Sequence, residues 1–369
     1  MSKRKKKKLT RRQQEIRRKR LKKRRRRRAI VIIIELIILC ILGTTAFALF
    51  KLGKMNRTTL TNIKNNGLKQ TGYTNVALFG LDSRGKSLGK GNRTDTIMIA
   101  SINNKTKKVK LVSVYRDTLL KQNGDHYDKA NAAYSAGGPE TAVNMLNENL
   151  DLNIQDYVSV NFLALADVID MVDGITVKMT DEEVVHMNNY CVETSKVTGK
   201  KYHKIEPEVA GSYHLNGVQA VSYARIRYTA GGDYKRTERQ RLVLEKTVNK
   251  LKKQDLATLN KIIDKVMPEV STSFTTKEIL ALATGAFDYE LGETTGFPFD
   301  LETPDRIRGY SGSYVVPKGL EQNVIKLHEF LYPDKEYTPT ETVTDISDTL
   351  IDMTDVYPST TESETSQDE

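Results

Sequence analysis

Residues 222–241, SYARIRYTAGGDYKRTERQR, hold six cationic side chains: Arg225, Arg227, Lys235, Arg236, Arg239 and Arg241. Arginine stays ionised and presents a planar fork of donors, so it grips phosphate oxygens at two points. The pair Arg225 and Arg227, and the set Asp233, Arg236 and Gln240, suit a multiply charged phosphate. Asp233, beside Gly231-Gly232, is the candidate acid or base, and Glu238 is the other carboxylate. Three further pieces could join this stretch. Asp82 ends a first strand pattern, Arg93 and Asp95 open a second, and Arg116 ends a third. If these strands are neighbours, two carboxylates and two arginines meet at one rim of a sheet. Mg²⁺ is usually held by one or two carboxylates plus substrate phosphates, so Asp82 and Asp95 are candidate ligands for Mg²⁺ or Mn²⁺. The arginines would neutralise charge developing on a transferred phosphate. Any one of these residues alone is better explained by an ordinary ion pair; the joint pattern points to phosphate chemistry.

The elements that must position them follow from hydrophobic period. Strands are expected at 75–81, 95–102 and 108–114, with a hairpin turn at 103–106. Helical spacing marks 139–150, 162–172, 216–227 and 234–251, and a short strand lies at 174–177. Residues 181–213 read as polar and irregular. Thr275 and Glu278 form a capping box that opens another helix. A late strand at 309–317 and a last helix at 320–331 complete the fold. The expected class is α/β: a central mixed β-sheet flanked by helices, with one N-terminal transmembrane helix.

The net charge of +12 is unevenly placed. Residues 1–28 carry 19 Lys or Arg and one acid, residues 337–369 carry nine acids and no base, and the remainder is nearly balanced. The apolar run 29–50, AIVIIIELIILCILGTTAFALF, is roughly 33 Å long as a helix, enough to span a bilayer core. The basic run precedes it, which places 1–28 in the cytoplasm and the rest outside the cell membrane as a single-pass protein. The basic run carries no aromatic or fold signal for base readout, so nucleic acid is not an expected partner. Residues 51–71 read as a stem, 72–333 as the extracytoplasmic catalytic domain, and 337–369 as an acidic disordered tail.

Outside the apolar run there is one cysteine, Cys191, which excludes an internal disulfide. The five histidines show no metal-ligand spacing. Residues 80–87, GLDSRGKS, match the phosphate-loop pattern, but the following LGKGN has no helical period, and such a loop must open a helix.

Several blocks in order carry a resemblance: NVALFGLDSR (75–84), NRTDTIMIASI (92–102), LVSVYRDTLL (111–120), DKANAAYSAGG (128–138), VDGI (172–175), HLNGVQAVSYARIR (214–227) and GGDYKRTERQR (231–241). Over about 75–250 the chain resembles the LytR-CpsA-Psr family, the cell-wall glycopolymer ligases of Gram-positive bacteria. The resemblance implies an apolar groove for a polyprenyl chain. It implies transfer of a glycopolymer (teichoic acid, capsule or a related polysaccharide) from undecaprenyl pyrophosphate to peptidoglycan through a phosphodiester. By motif position, Asp82 and Asp95 would be the Mg²⁺-side carboxylates. Arg93, Arg116, Arg225, Arg227 and Arg236 would hold the pyrophosphate, with Gln240 beside them. Asp233 would orient an arginine or accept the acceptor hydroxyl's proton. The family often carries Lys four residues after the arginine matching Arg116, where this chain has Leu120. Val143, Leu146, Leu150, Phe162, Leu165, Val168, Ile169 and Val172 are candidate groove or core residues. A membrane-bound transcriptional regulator and a polyprenyl-pyrophosphate hydrolase are the alternative functions.

Overall fold

The computed structural model describes residues 56–82, 88–285 and 288–359. The basic run, the apolar run 29–50 and residues 83–87 of the phosphate-loop pattern lie outside them. No described helix is long and apolar enough to cross a membrane.

Thirteen strands are described: β1 (Asn56–Arg57), β2 (Tyr73–Leu81), β3 (Thr94–Asn103), β4 (Lys108–Val114), β5 (Leu119–Lys121), β6 (Tyr127–Lys129), β7 (Asp156–Asn161), β8 (Ile175–Met179), β9 (Gly211–Leu215), β10 (Val270–Thr272), β11 (Glu290–Phe297), β12 (Leu301–Glu302) and β13 (Val316–Pro317). Seven build one mixed sheet in the order β1-β10-β7-β2-β3-β4-β11. β3 runs antiparallel to both neighbours, while β7 pairs with β2, and β11 with β4, in parallel. The ends of β2, β4, β7 and β11 therefore share one rim with the start of β3.

Side chains alternate between sheet faces. Ala77, Phe79, Leu81, Ile97, Ile99, Val112, Val114 and Tyr157 face the larger core. That face is covered by helix α1 (Ala132–Leu150), which supplies Ala142, Val143, Met145, Leu146 and Leu150. α1 starts seven residues before the expected 139 and kinks at Gly138, where Pro139 resumes the helix. Leu78, Met98, Val158 and Val160 point to the other face.

A second core joins helices α2 (Phe162–Met171), α3 (Asp181–Thr198) and α4 (Gly217–Arg225) to the antiparallel pair β8–β9. Gly217 is obligatory here: a Cβ would sit 2.1 Å from the Ala166 carbonyl oxygen. α3 corrects the irregular reading of 181–213. Thr180 and Glu183 close a capping box, and Val184, Met187 and Cys191 form a buried stripe inside a polar sequence. Helix α5 (Gly232–Leu251) crosses the second sheet face, followed by α6 (Leu256–Val266) and α7 (Thr276–Thr284). The Thr275–Glu278 box opens α7 as expected.

The expected late strand 309–317 shrinks to β13, and helix α8 (Leu320–Leu331) is not the last. Residues 341–354 of the supposedly disordered tail form helix α9 (Glu341–Thr354), with Val343, Ile346 and Leu350 buried in the larger core. Three apolar residues on one helix face suffice to dock it; averaged composition conceals such a stripe. Thr340 tethers its start, donating from its backbone N–H (2.9 Å) and hydroxyl (2.7 Å) to the Asp151 carboxylate.

Candidate active site

An apolar cavity of about 400 Å³ lies between the second sheet face and helices α2, α4 and α5. Leu78, Met98, Val158 and Val160 form its floor; Phe162, Leu165, Val221, Val243 and Leu244 form its walls. Of the eight groove candidates, Phe162 and Leu165 line it. Val143, Leu146 and Leu150 instead pack behind the sheet on α1, and Ile169 lies in the second core. The cavity opens at the strand-end rim on Asp95, Arg116, Arg225, Arg227, Arg236 and Gln240.

Local structure aims each of these. Leu81 pairs with Thr94 and Gly80 with Thr96, so Asp95 is an extra residue in the ladder. A bulge of this kind re-aims a side chain, and here it turns Asp95 to the cavity. Arg116 follows the end of β4. α4 ends at Arg225; Ile226 is extended (φ −59°, ψ 126°) and fully buried, so the arginines on either side emerge together. Gly231, at φ 85°, then turns the chain into α5. Asp233, Arg236 and Gln240 follow at helical spacing on one face.

The arginines are held by carboxylates. Asp233 Oδ1 lies 3.2 Å from Arg227 Nε and 3.0 Å from Arg236 Nη2. Arg236 Nη2 donates to the Asp95 carbonyl at 3.2 Å, and Gln240 Nε2 to the same oxygen at 3.5 Å. Arg116 is ion-paired with Asp95 and reaches Asp117 at 3.4 Å. Arg225 binds Glu193 (2.9 Å) and Thr194 (3.0 Å), with its guanidinium over the rings of Phe162 (5.0 Å) and Tyr190 (5.5 Å).

Arg236 has only 3% of its side chain exposed. Burial, joined by the like charges of Arg116 and Arg227, pulls its pKa down despite Asp233 and Asp95. Its Nε is buried without a hydrogen-bond partner. Burial opposes the charge of Arg116 too, but Asp95, Asp117 and Asp233 together hold its pKa above the ordinary value. An anion entering this mouth would meet ionised, pre-oriented forks in a partly dehydrated site, where charge interactions are strong.

Asp82 and Arg93 are both exposed, and neither lines the cavity. They meet through their backbones, Asp82 N–H donating to the Arg93 carbonyl at 3.1 Å. Among the described residues no group of three or more His, Cys, Asp or Glu could hold a metal ion. Residues 88–93, which follow the phosphate-loop pattern, form no helix.

Sequence reasoning missed Asp117. Besides Arg116 it meets Lys129 at 3.0 Å and Arg227 at 3.9 Å. Burial would raise its pKa, but Arg116, Lys129 and Arg227 together bring it below the usual carboxylate value. The Arg116-Asp117 dipeptide at a strand end was the available signal. Lys129 comes from β6 and needed the β5–β6 pairing to be seen. Leu120, at the departure from the family pattern, is fully buried.

The chain is 33% identical over 210 residues to biofilm regulatory protein A of Streptococcus mutans, covering 54% of this chain and 49% of that protein. It thus spans about half the length of that relative. It is 30% identical over 285 residues to the polyisoprenyl-teichoic acid–peptidoglycan teichoic acid transferase TagU of Enterococcus faecalis, covering 73% and 88%. The fold matches TagT of Bacillus subtilis, solved with bound octaprenyl pyrophosphate lipid, at a TM-score of 0.54 and 20% identity, over 75% of this chain and 98% of that one. The LytR_cpsA_psr family model matches residues 44–294, more than half of the sequence, and the chain belongs to the LytR-CpsA-Psr family.

Proposed function

We propose that this protein is a phosphotransferase that moves a glycopolymer from undecaprenyl pyrophosphate to peptidoglycan, anchored in the cell membrane by residues 29–50. The observation that carries this reading is the junction of an apolar cavity with Arg116, Arg225, Arg227 and Arg236 at its mouth. An isoprenoid chain gains by leaving water for such a cavity, at about 0.8 kcal/mol per CH₂. A diphosphate at the mouth gains charge-assisted hydrogen bonds. The relative TagU is named for transfer of teichoic acid to peptidoglycan, which supports the same chemistry here.

In the proposed reaction an acceptor hydroxyl oxygen attacks the sugar-bearing phosphorus. The bond from that phosphorus to the bridging oxygen breaks, the lipid leaves as its monophosphate, and the acceptor hydroxyl's proton ends on that released phosphate. Arg116, Arg227 and Arg236 offset the charge that moves onto the phosphate oxygens. Asp233, with Arg227 and Arg236 both on it, orients those two forks rather than taking the acceptor's proton. The hard oxygens of Asp82 and Asp95 suit Mg²⁺ in type; Asp95 faces the mouth, paired with Arg116, while Asp82 lies exposed outside it, so Asp95 is the carboxylate placed to share an ion with the diphosphate. The ion, when bound, would further offset phosphate charge.

The test supplies the full chain in micelles with a sugar-bearing undecaprenyl pyrophosphate, peptidoglycan oligomers and Mg²⁺, and reads the products by mass spectrometry. Sugar phosphate joined to peptidoglycan, with lipid monophosphate released, is expected. Lipid monophosphate with free sugar phosphate would mean hydrolysis, and no turnover of any donor would refute the enzyme.

A further inference from the structure

The proposed donor has three parts, and the cavity and arginines account for the lipid and the diphosphate. The sugar must leave the mouth on its open side, and an aromatic surface stands there. Tyr228, one residue after Arg227, is 74% exposed, an unusual position for a large ring. Its ring is stacked near-parallel (17°) with that of Tyr190, centroids 6.5 Å apart. Tyr190 lines the cavity and carries the Arg225 guanidinium over its face. His186, one helical turn earlier on α3, lies 6.2 Å from the Tyr228 ring. The aromatic surface is thus continuous with the arginine mouth.

We propose that Tyr228, backed by Tyr190 and His186, is a stacking platform for the pyranose ring attached to the diphosphate; this rests on the functional reading above. The apolar C–H face of a pyranose carries slightly positive hydrogens that pack on the negative face of an aromatic ring. Glu193 holds Arg225 from beside this surface. The same surface suits a bilayer poorly. Beside the 39% exposed Arg227 it presents two carboxylates, Glu193 and the 56% exposed Glu182 next to His186, and anionic headgroups repel these.

The test measures affinity of the full chain in micelles for two probes: undecaprenyl diphosphate, and the same lipid carrying one N-acetylglucosamine. Tyr228→Ala is expected to weaken the sugar-bearing lipid about 3- to 10-fold and leave the bare lipid unchanged, with Tyr228→Phe restoring affinity. An equal loss on both lipids would overturn the platform, as would no loss on either. Weaker binding of Tyr228→Ala to donor-free anionic vesicles, with donor affinity intact, would make Tyr228 a membrane contact instead. A wild-type chain that binds neither lipid removes the functional reading and the subsite together. A wild-type chain that binds both, with Tyr228→Ala indistinguishable from it, removes the subsite alone.

Discussion

The two faces of the central sheet use the same strands for opposite ends. Behind it, Phe79, Ile99 and Val112 meet α1, α8 and α9 in a filled core. In front, Leu78, Met98 and Val158 meet helices that stand off, leaving about 400 Å³ open. Protein interiors are normally packed to the density of organic crystals, so a cavity of this size stands for binding energy not used in folding. At the rim, Arg236 ties α5 to the Asp95 carbonyl of β3, and Arg225 ties α4 to Glu193 of α3. The difference teaches that one face should carry stability and the other affinity.

The largest expected effect breaks the rear face. A chain ending at residue 336 loses α9 and the burial of Val343, Ile346 and Leu350. At roughly 1.5–3 kcal/mol for each side chain, the loss is comparable with the whole stability of a typical domain. Denaturant unfolding should show that chain largely unfolded, whereas one ending at 359 should unfold cooperatively.

Point changes on the two faces should separate next. Leu146→Ala, behind the sheet, should lower stability by about 2–5 kcal/mol and leave lipid affinity per folded molecule unaltered. Val160→Trp, in front, should leave the denaturation midpoint nearly in place and abolish lipid binding by filling the cavity. Equal stability losses from both would erase the distinction between the faces.

Arg227→Ala tests the mouth. Its side chain is 39% exposed, so the fold should survive. Turnover should fall about 100- to 1000-fold, the effect of deleting one preorganised donor. Unchanged turnover would remove Arg227 from the site.

The smallest effect is pH-dependent. The folded-state pKa of Asp117 lies below its ordinary value of 3.8. Its contribution is therefore complete above about pH 4 and is lost as the pH falls through the folded-state value. Asp117→Asn should be less stable than wild type at neutral pH, and the gap should narrow on acidification. A gap independent of pH would mean that the ion pairs of Asp117 do not act on stability.

The residues at the mouth were legible because arginine pairs and strand-end carboxylates are rare together, and their spacing survives without knowledge of the fold. Only part of the sheet was legible: β2, β3 and β4 follow a strong apolar period, while β1, β7, β10 and β11 carried no such signal. What was not legible depended on packing. The groove candidates on α1 are as apolar as those on α2, and only the sheet decides which lie in front. α3 and α9 carry narrow buried stripes in polar sequence, which the average over each segment concealed. Asp117 joined the site only when β6 brought Lys129 beside it.

The central claim is that cavity and mouth bind one amphiphile together. Its most direct test is calorimetry with geranyl, farnesyl and geranylgeranyl diphosphates, on wild type and Arg236→Ala. Affinity should rise with each isoprene unit until the cavity is full, and Arg236→Ala should lower it by a similar factor at every length. Affinity that does not change with chain length would contradict the account.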